Sequence, residues 1–189
     1  VFCATGQMGF LRHLEPGEIV AQVLWFVREL RARDDRLTNI VVMGMGEPLH
    51  NYEATLAACD ILNDPAGFAF GARRITLSTV GLVPAIRRFA DERRQVNLAI
   101  SLHAATDELR ASLLPVNRRY PLAEVFDAAR YYTATTHRRI TLEWALIAGI
   151  NDTEEQAELL ARRAAGLLCH VNVIPLNPTA GYAGQASTR

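Results

Sequence analysis

Four short stretches of this sequence carry groups suited to binding a polar small molecule, and each follows or closes an apolar run. The first is Gly44, Met45, Gly46, Glu47 and Pro48, after Ile40, Val41, Val42 and Met43. The others are Ser78 and Thr79, then Ser101, Leu102 and His103, and last Asn177, just after Val171 to Pro175. Parallel sheets bind ligands at the carboxyl ends of their strands, so these residues would share one rim. Gly44 and Gly46 lack a Cβ and let backbone N–H and C=O groups approach a ligand, and Glu47 adds a carboxylate. Together the set offers donors and acceptors for an amino group, a carboxylate and ribose hydroxyls. Little in it resembles a phosphate cradle or a serine nucleophile triad. Taken singly, each residue has an ordinary reading as a turn former, a loop hydroxyl or a satisfied histidine. The agreement of four strand ends argues for a site.

The elements that must deliver these residues follow from the apolar pattern. A helix with Ile19, Val20, Val23, Leu24, Val27 and Leu30 on one face starts near Pro16, which suits a first helical turn. Ile40 to Met43 reads as a central strand covered on both faces. Asn51 is placed to cap a helix carrying Leu56, Cys59 and Leu62. A strand over 74–78, a short helix over 82–90 and a strand over 96–100 come next. Thr106 then caps a helical segment reaching Leu114, and a longer helix covers 122–135. A strand over 140–147 precedes a helix beginning at Asn151, Asp152 and Thr153, with Asp152 and Glu155 spaced as a capping box. Val171 to Pro175 is the last strand, and the tail from Asn177 is small and polar without periodicity. Strand and helix alternate with no linker, so the expected fold is α/β: one domain over 1–189, a partial (β/α) TIM-like barrel.

With 50% apolar and 21% charged residues the composition is globular. No apolar run reaches the ~18 residues of a membrane helix and no signal peptide is visible, so a cytoplasmic protein without membrane association is expected. The formal net charge is zero, which gives no overall electrostatic case for nucleic acid. All 20 basic residues are arginine, and adjacent pairs recur, among them Arg118/Arg119 beside Asn117. Arginine binds phosphate bidentately, and that pair is the candidate for RNA backbone contact. Of the three cysteines, Cys59 and Cys169 read as small core hydrophobes, and the odd count argues against a secreted disulfide scaffold.

Phe2 and Cys3 resemble the end of the radical S-adenosylmethionine cluster loop, Cys-x-x-x-Cys-x-x-Cys with an aromatic before the last cysteine. With Gly-Met-Gly-Glu-Pro at 44–48, Leu-Ser-Thr at 77–79, Ser-Leu-His at 101–103, Pro-Val-Asn-Arg-Arg at 115–119 and Ile-Pro-Leu-Asn-Pro at 174–178, the chain is similar end to end to the ribosomal-RNA adenine C2 methyltransferases and their C8-methylating relatives. That resemblance implies a [4Fe-4S] cluster on three cysteines, Cys3 among them, with one iron chelating S-adenosyl-L-methionine. Gly46 and Glu47 would hold the methionine end, and Ser78, Ser101, Leu102, His103 and Asn177 the rest of the cofactor. It further implies reductive cleavage to a 5′-deoxyadenosyl radical, which activates a methyl group carried on a cysteine for addition to the adenine ring.

The same resemblance places the other two cluster cysteines before Val1 and the methyl-carrying cysteine beyond Arg189. A radical SAM core truncated at both ends is therefore expected, lacking an N-terminal RNA-binding extension and inactive alone, with no catalytic residue of its own. The expected partners are 23S ribosomal RNA, with tRNA as a further substrate, and an electron donor such as flavodoxin; a monomer is expected. Two alternatives stay open: another radical SAM enzyme of the activase type, and a non-catalytic RNA-binding barrel.

Overall fold

The computed structural model describes residues 2–188. Val1 and Arg189, which bound the resemblance above, lie outside them. Among the described residues, strands β1 (Ile40–Val42), β2 (Ile75–Thr79), β3 (Asn97–Ser101), β4 (Ile140–Leu146) and β5 (Cys169–Pro175) form one sheet in the order β1-β2-β3-β4-β5. Every neighbouring pair is parallel. Helices α2 (Pro16–Arg31), α3 (Tyr52–Asn63), α4 (Val83–Asp91), α5 (Asp107–Leu113), α6 (Leu122–Thr136) and α7 (Glu154–Ala164) alternate with them, and a short α1 (Ala4–Met8) opens the chain. Sequential strand order with a helix in each crossover is how a (β/α) barrel winds.

Side-chain alternation in the strands decides which face carries the core. Leu77, Leu98, Ile100, Ile140, Leu142 and Trp144 join Ile86, Phe89, Val125, Phe126 and Tyr132 of the helices in one apolar cluster. Period two then puts Ser78, Ser101, Glu143 and Asn172 on the opposite face. That face is polar, so only the helix side is a continuous hydrophobic layer.

The expected cover on both faces of β1 is seen on one: among the described residues Ile40 and Val42 pack against the helix-side core, while Val41 between them is 53% exposed. Two caps also differ. Asn51 stands at the N-cap of α3, but its side-chain amide donates to the Leu14 carbonyl at 2.8 Å. At α7, Thr153 Oγ1 accepts from the Gln156 N–H at 3.2 Å, so the cap is Thr153 and not an Asp152/Glu155 box. Asp152 instead accepts from the Gly149 N–H at 2.8 Å. The Pro16 start of α2 is reinforced by a reciprocal capping box between Glu15 and Glu18. The tail is not loose: Ala186 bridges Ile147, and the Ala148 N–H donates to the Gln185 carbonyl at 2.9 Å.

Candidate cofactor site at the strand ends

The loop after β1 turns through two glycines whose φ values, +143° at Gly44 and +134° at Gly46, are ones that L side chains rarely adopt. No other residue type makes this turn without strain. It delivers Glu47 into a half-buried position where Oε2 accepts from the Val80 N–H at 2.7 Å and Oε1 from the Leu49 N–H at 3.0 Å. Burial pushes its carboxyl above the usual range, against the pull of these N–H donors. The carboxylate is thus fixed to the end of β2, where the Thr79 hydroxyl also donates to it.

Ser78 and Ser101, on neighbouring strands, bring their hydroxyls to 3.5 Å. Leu102 differs from its neighbours: its side chain is fully buried in the helix-side core, so only its backbone reaches the rim. His103 follows with φ +60°, a left-handed conformation unusual for a non-glycine residue. Two contacts hold it there. Its Nδ1 accepts from the Ala145 N–H at 2.9 Å, and its carbonyl accepts from Asn151 Nδ2 at 2.7 Å. Burial, with help from the Arg110 charge, pushes the His103 pKa down to about 3. The ring is neutral at physiological pH, and the Nδ1 bond assigns the proton to Nε2.

The start of the chain docks beside this histidine. Phe2 sets its ring edge-on to His103 at 5.0 Å and to Tyr182 at 6.2 Å. The Phe2 carbonyl accepts from Thr179 Oγ1 at 3.3 Å, and Gln7 Nε2 donates to the same hydroxyl at 3.0 Å. Cys3 is thereby tied to the segment that carries Asn177, and both Cys3 and Asn177 are exposed. Partial burial opposes ionisation of the Cys3 thiol, but the Gly6 and Thr5 N–H groups outweigh it and hold the pKa below its ordinary value. A thiolate stabilised by backbone N–H groups fits one ligand of an iron–sulfur cluster. Among the described residues no three His, Cys, Asp or Glu side chains gather to hold a metal ion. Cys59 is buried against the core, where burial pushes its thiol up to about 11, as expected of a small hydrophobe.

Arg118 and Arg119 are exposed at a 3-10 turn, Pro115–Arg118, where the Arg119 guanidinium sits 5.5 Å from the Tyr120 ring centre. Sequence reasoning missed the groups that brace the rim from below: Arg110, Asn117, Asn151 and Gln156, all buried. Gln156 Oε1 accepts from the Ala105 N–H at 2.9 Å. Asn117 and Asn151 stand out in the sequence only as a motif residue and a helix start, because residue type does not show that a side chain turns inward, to Arg110 for Asn117 and to the His103 carbonyl for Asn151. Glu143, buried and accepting from Asn172 Nδ2 at 2.7 Å, was legible: alternation of Leu142, Glu143 and Trp144 puts it on the polar face.

A sector of parallel (β/α) barrel that carries its polar ligand groups at the strand ends, with one low-pKa thiol beside them, defines a strand-end cofactor-binding class of protein. The chain belongs to the radical SAM superfamily, whose family pattern matches residues 1–163. It is 60% identical, over 99% of its length, to a protein named dual-specificity RNA methyltransferase RlmN 1 from Myxococcus xanthus, and covers 52% of that protein. A solved radical SAM methyltransferase from Sphaerobacter thermophilus is 56% identical and superposes with a TM-score of 0.97, covering 99% of this chain and 55% of that one. A domain of pyruvate-formate lyase-activating enzyme from Bacteroides vulgatus shares the fold at 21% identity, with a TM-score of 0.53 over 80% of this chain and 86% of that one. The chain spans about half the length of the curated relatives it matches.

Proposed function

We propose that this chain is the S-adenosylmethionine-binding core of an enzyme that methylates C2 of an adenine in 23S ribosomal RNA, and also tRNA, through a methyl-cysteine intermediate. The observation that carries the reading is the strand-end rim, in which Glu47 and His103 accept from backbone N–H groups and the Ser78 and Ser101 hydroxyls lie 3.5 Å apart, beside the Cys3 segment. Strong similarity to a named RNA methyltransferase supports the substrate class. In this reading Gly46 and Glu47 bind the ammonium end of S-adenosylmethionine, by backbone and carboxylate acceptors respectively. The two serine hydroxyls and Asn177 take up hydroxyl and carboxylate groups of the same ligand. Neutral His103 offers Nε2–H as a donor without adding a charge that would repel the sulfonium. Cys3 supplies one thiolate to a [4Fe-4S] cluster, which when bound provides the electron for reductive chemistry on S-adenosylmethionine. Arg118 and Arg119 contact RNA phosphates, with the reductant, such as flavodoxin, approaching elsewhere; the protein acts as a cytoplasmic monomer.

Titrating the isotope-labelled chain with S-adenosylmethionine while following backbone amide resonances tests the site. The expected result is saturable shifts at Gly46, Glu47, Ser78, Ser101, His103 and Asn177. Shifts confined to other surfaces, or none at millimolar ligand, would remove the rim from the cofactor site.

A further inference from the structure

Arg110, on α5, is the largest of the fully buried side chains, at 0% exposure. Its guanidinium meets only neutral oxygens. Nη2 donates to the Val80 carbonyl at 2.6 Å and to the Ser101 carbonyl at 3.2 Å, Nε to the Leu102 carbonyl at 3.2 Å, and Nη1 to Asn117 Oδ1 at 2.9 Å. Among the described residues it forms no ion pair within salt-bridge distance. Burying a cation without a paired anion is costly, so packing alone is a poor account of an arginine at this position.

What the four bonds join is informative. Val80 follows β2, Ser101 ends β3 and Leu102 follows it, so one planar fork fixes the spacing of two adjacent strand ends. The Val80 peptide is held from both sides: its carbonyl accepts from Arg110 while its N–H donates to the Glu47 carboxylate at 2.7 Å. Displacing the guanidinium therefore displaces Glu47. Space for the fork is set by Gly81, where φ is +101° and a Cβ would come within 3.2 Å of Nη2. The fork's orientation is set by Asn117, whose Nδ2 donates to the Asp107 carbonyl at 3.1 Å and to Asp107 Oδ1 at 2.9 Å. Asp107 Oδ1 also accepts from the Leu122 N–H at 2.7 Å, which ties the cluster to α6. The asparagine of the Pro-Val-Asn-Arg-Arg stretch thus faces inward to Arg110, while the arginines that follow it are exposed.

We infer that Arg110, oriented by Asn117, is the positioning residue that sets the geometry of the cofactor rim by locking the ends of β2 and β3 to α5. This rests on the rim being the S-adenosylmethionine site. Its consequence is local: loss of the fork loosens Val80, Gly81, Leu82 and His103 and leaves the sheet intact.

The test pairs amide hydrogen exchange with S-adenosylmethionine titration on wild-type chain, Arg110→Lys, Arg110→Ala and Asn117→Ala. The expected result is roughly tenfold or greater loss of protection at Val80 to Leu82 and His103, with Leu77 and Leu98 unchanged. Affinity should fall about 10- to 100-fold in Arg110→Ala, as for loss of charge-assisted hydrogen bonds, and methylguanidinium should restore much of it. Should Arg110→Ala fail to fold, Arg110→Lys and Asn117→Ala decide the matter by the same exchange pattern. Uniform loss of protection across the sheet would make Arg110 a general stability residue and overturn the inference, as would an unchanged rim. If wild-type chain binds no S-adenosylmethionine, the ligand reading fails while hydrogen exchange still decides the positioning role.

Discussion

Replacing Asn151 by alanine isolates how the unusual turn at His103 is held. Asn151 is 2% exposed, and its amide is used three ways: Nδ2 donates to the His103 carbonyl at 2.7 Å and to the Ala145 carbonyl at 2.8 Å, and Oδ1 accepts from the Ile147 N–H at 2.7 Å. Truncation removes all three bonds and leaves two carbonyls and one N–H buried. At about 1 to 1.5 kcal/mol for each bond, the cost is about 3 to 5 kcal/mol. That is a large part of the roughly 10 to 15 kcal/mol that a soluble domain of this size has in total. Urea and thermal unfolding of the two proteins measure it, with a drop in Tm of about 6 to 20 °C as the counterpart. Asn63→Ala is the control, since Asn63 makes one bond, to its own helix at the Cys59 carbonyl, 2.7 Å away; it should cost about 1 kcal/mol or less. Asn151→Asp adds a sign. A carboxylate facing two carbonyls is favoured in its protonated form, so its folded pKa rises above the unfolded value and the variant gains stability relative to wild type as pH falls. A loss below about 1 kcal/mol for Asn151→Ala would refute the claim that this amide holds the turn.

Other expectations follow from the same geometry. His103, depressed to about 3, binds its proton in the unfolded chain first, so its contribution to stability is complete above about 6.5 and declines as pH falls toward 3; the slope is about 1.4 kcal/mol per pH unit, and His103→Gln should flatten that limb of the stability curve. Gly46→Ala places a side chain at φ +134°, where nothing crowds a Cβ within 4 Å, so the cost is backbone strain of about 1 to 3 kcal/mol with weakened S-adenosylmethionine binding; unchanged stability and binding would show that the turn relaxes. Charge reversal at Arg118 and Arg119 should weaken RNA binding and lower the slope of log affinity against log salt by about 1 to 2, read by filter binding at several ionic strengths; an unchanged slope would place the phosphates elsewhere.

The sequence exposed the strand ends because each closes an apolar run, as Leu77 before Ser78 and Ile100 before Ser101 do. Helix starts marked by a residue's own backbone geometry, such as Pro16 and Thr106, were also readable: Thr106 Oγ1 accepts from the Leu109 N–H at 3.3 Å. The misjudged elements depend on neighbours. Val41 looked covered because four apolar residues in a row do not say which face meets helices. Asn51 and Asp152 have the right type to cap, yet each is taken by a partner outside its helix, Leu14 and Gly149. Arg110 was hidden because an arginine between Leu109 and Leu113 reads as the wet side of an amphipathic helix. Only tertiary contact shows that its acceptors are strand-end carbonyls. The same limit kept His103 ambiguous, since its conformation and neutrality come from Ala145, Asn151 and burial.

The most direct test of the central claim is to substitute this chain for the matching half of the Myxococcus xanthus relative, load the chimera with iron and sulfide without oxygen, and measure methyladenosine in unmodified 23S ribosomal RNA by mass spectrometry. The account expects S-adenosylmethionine-dependent 2-methyladenosine that is lost with Cys3→Ala and with Glu47→Gln. A folded chimera carrying a full cluster and binding S-adenosylmethionine, yet leaving the adenine unmethylated, would contradict it.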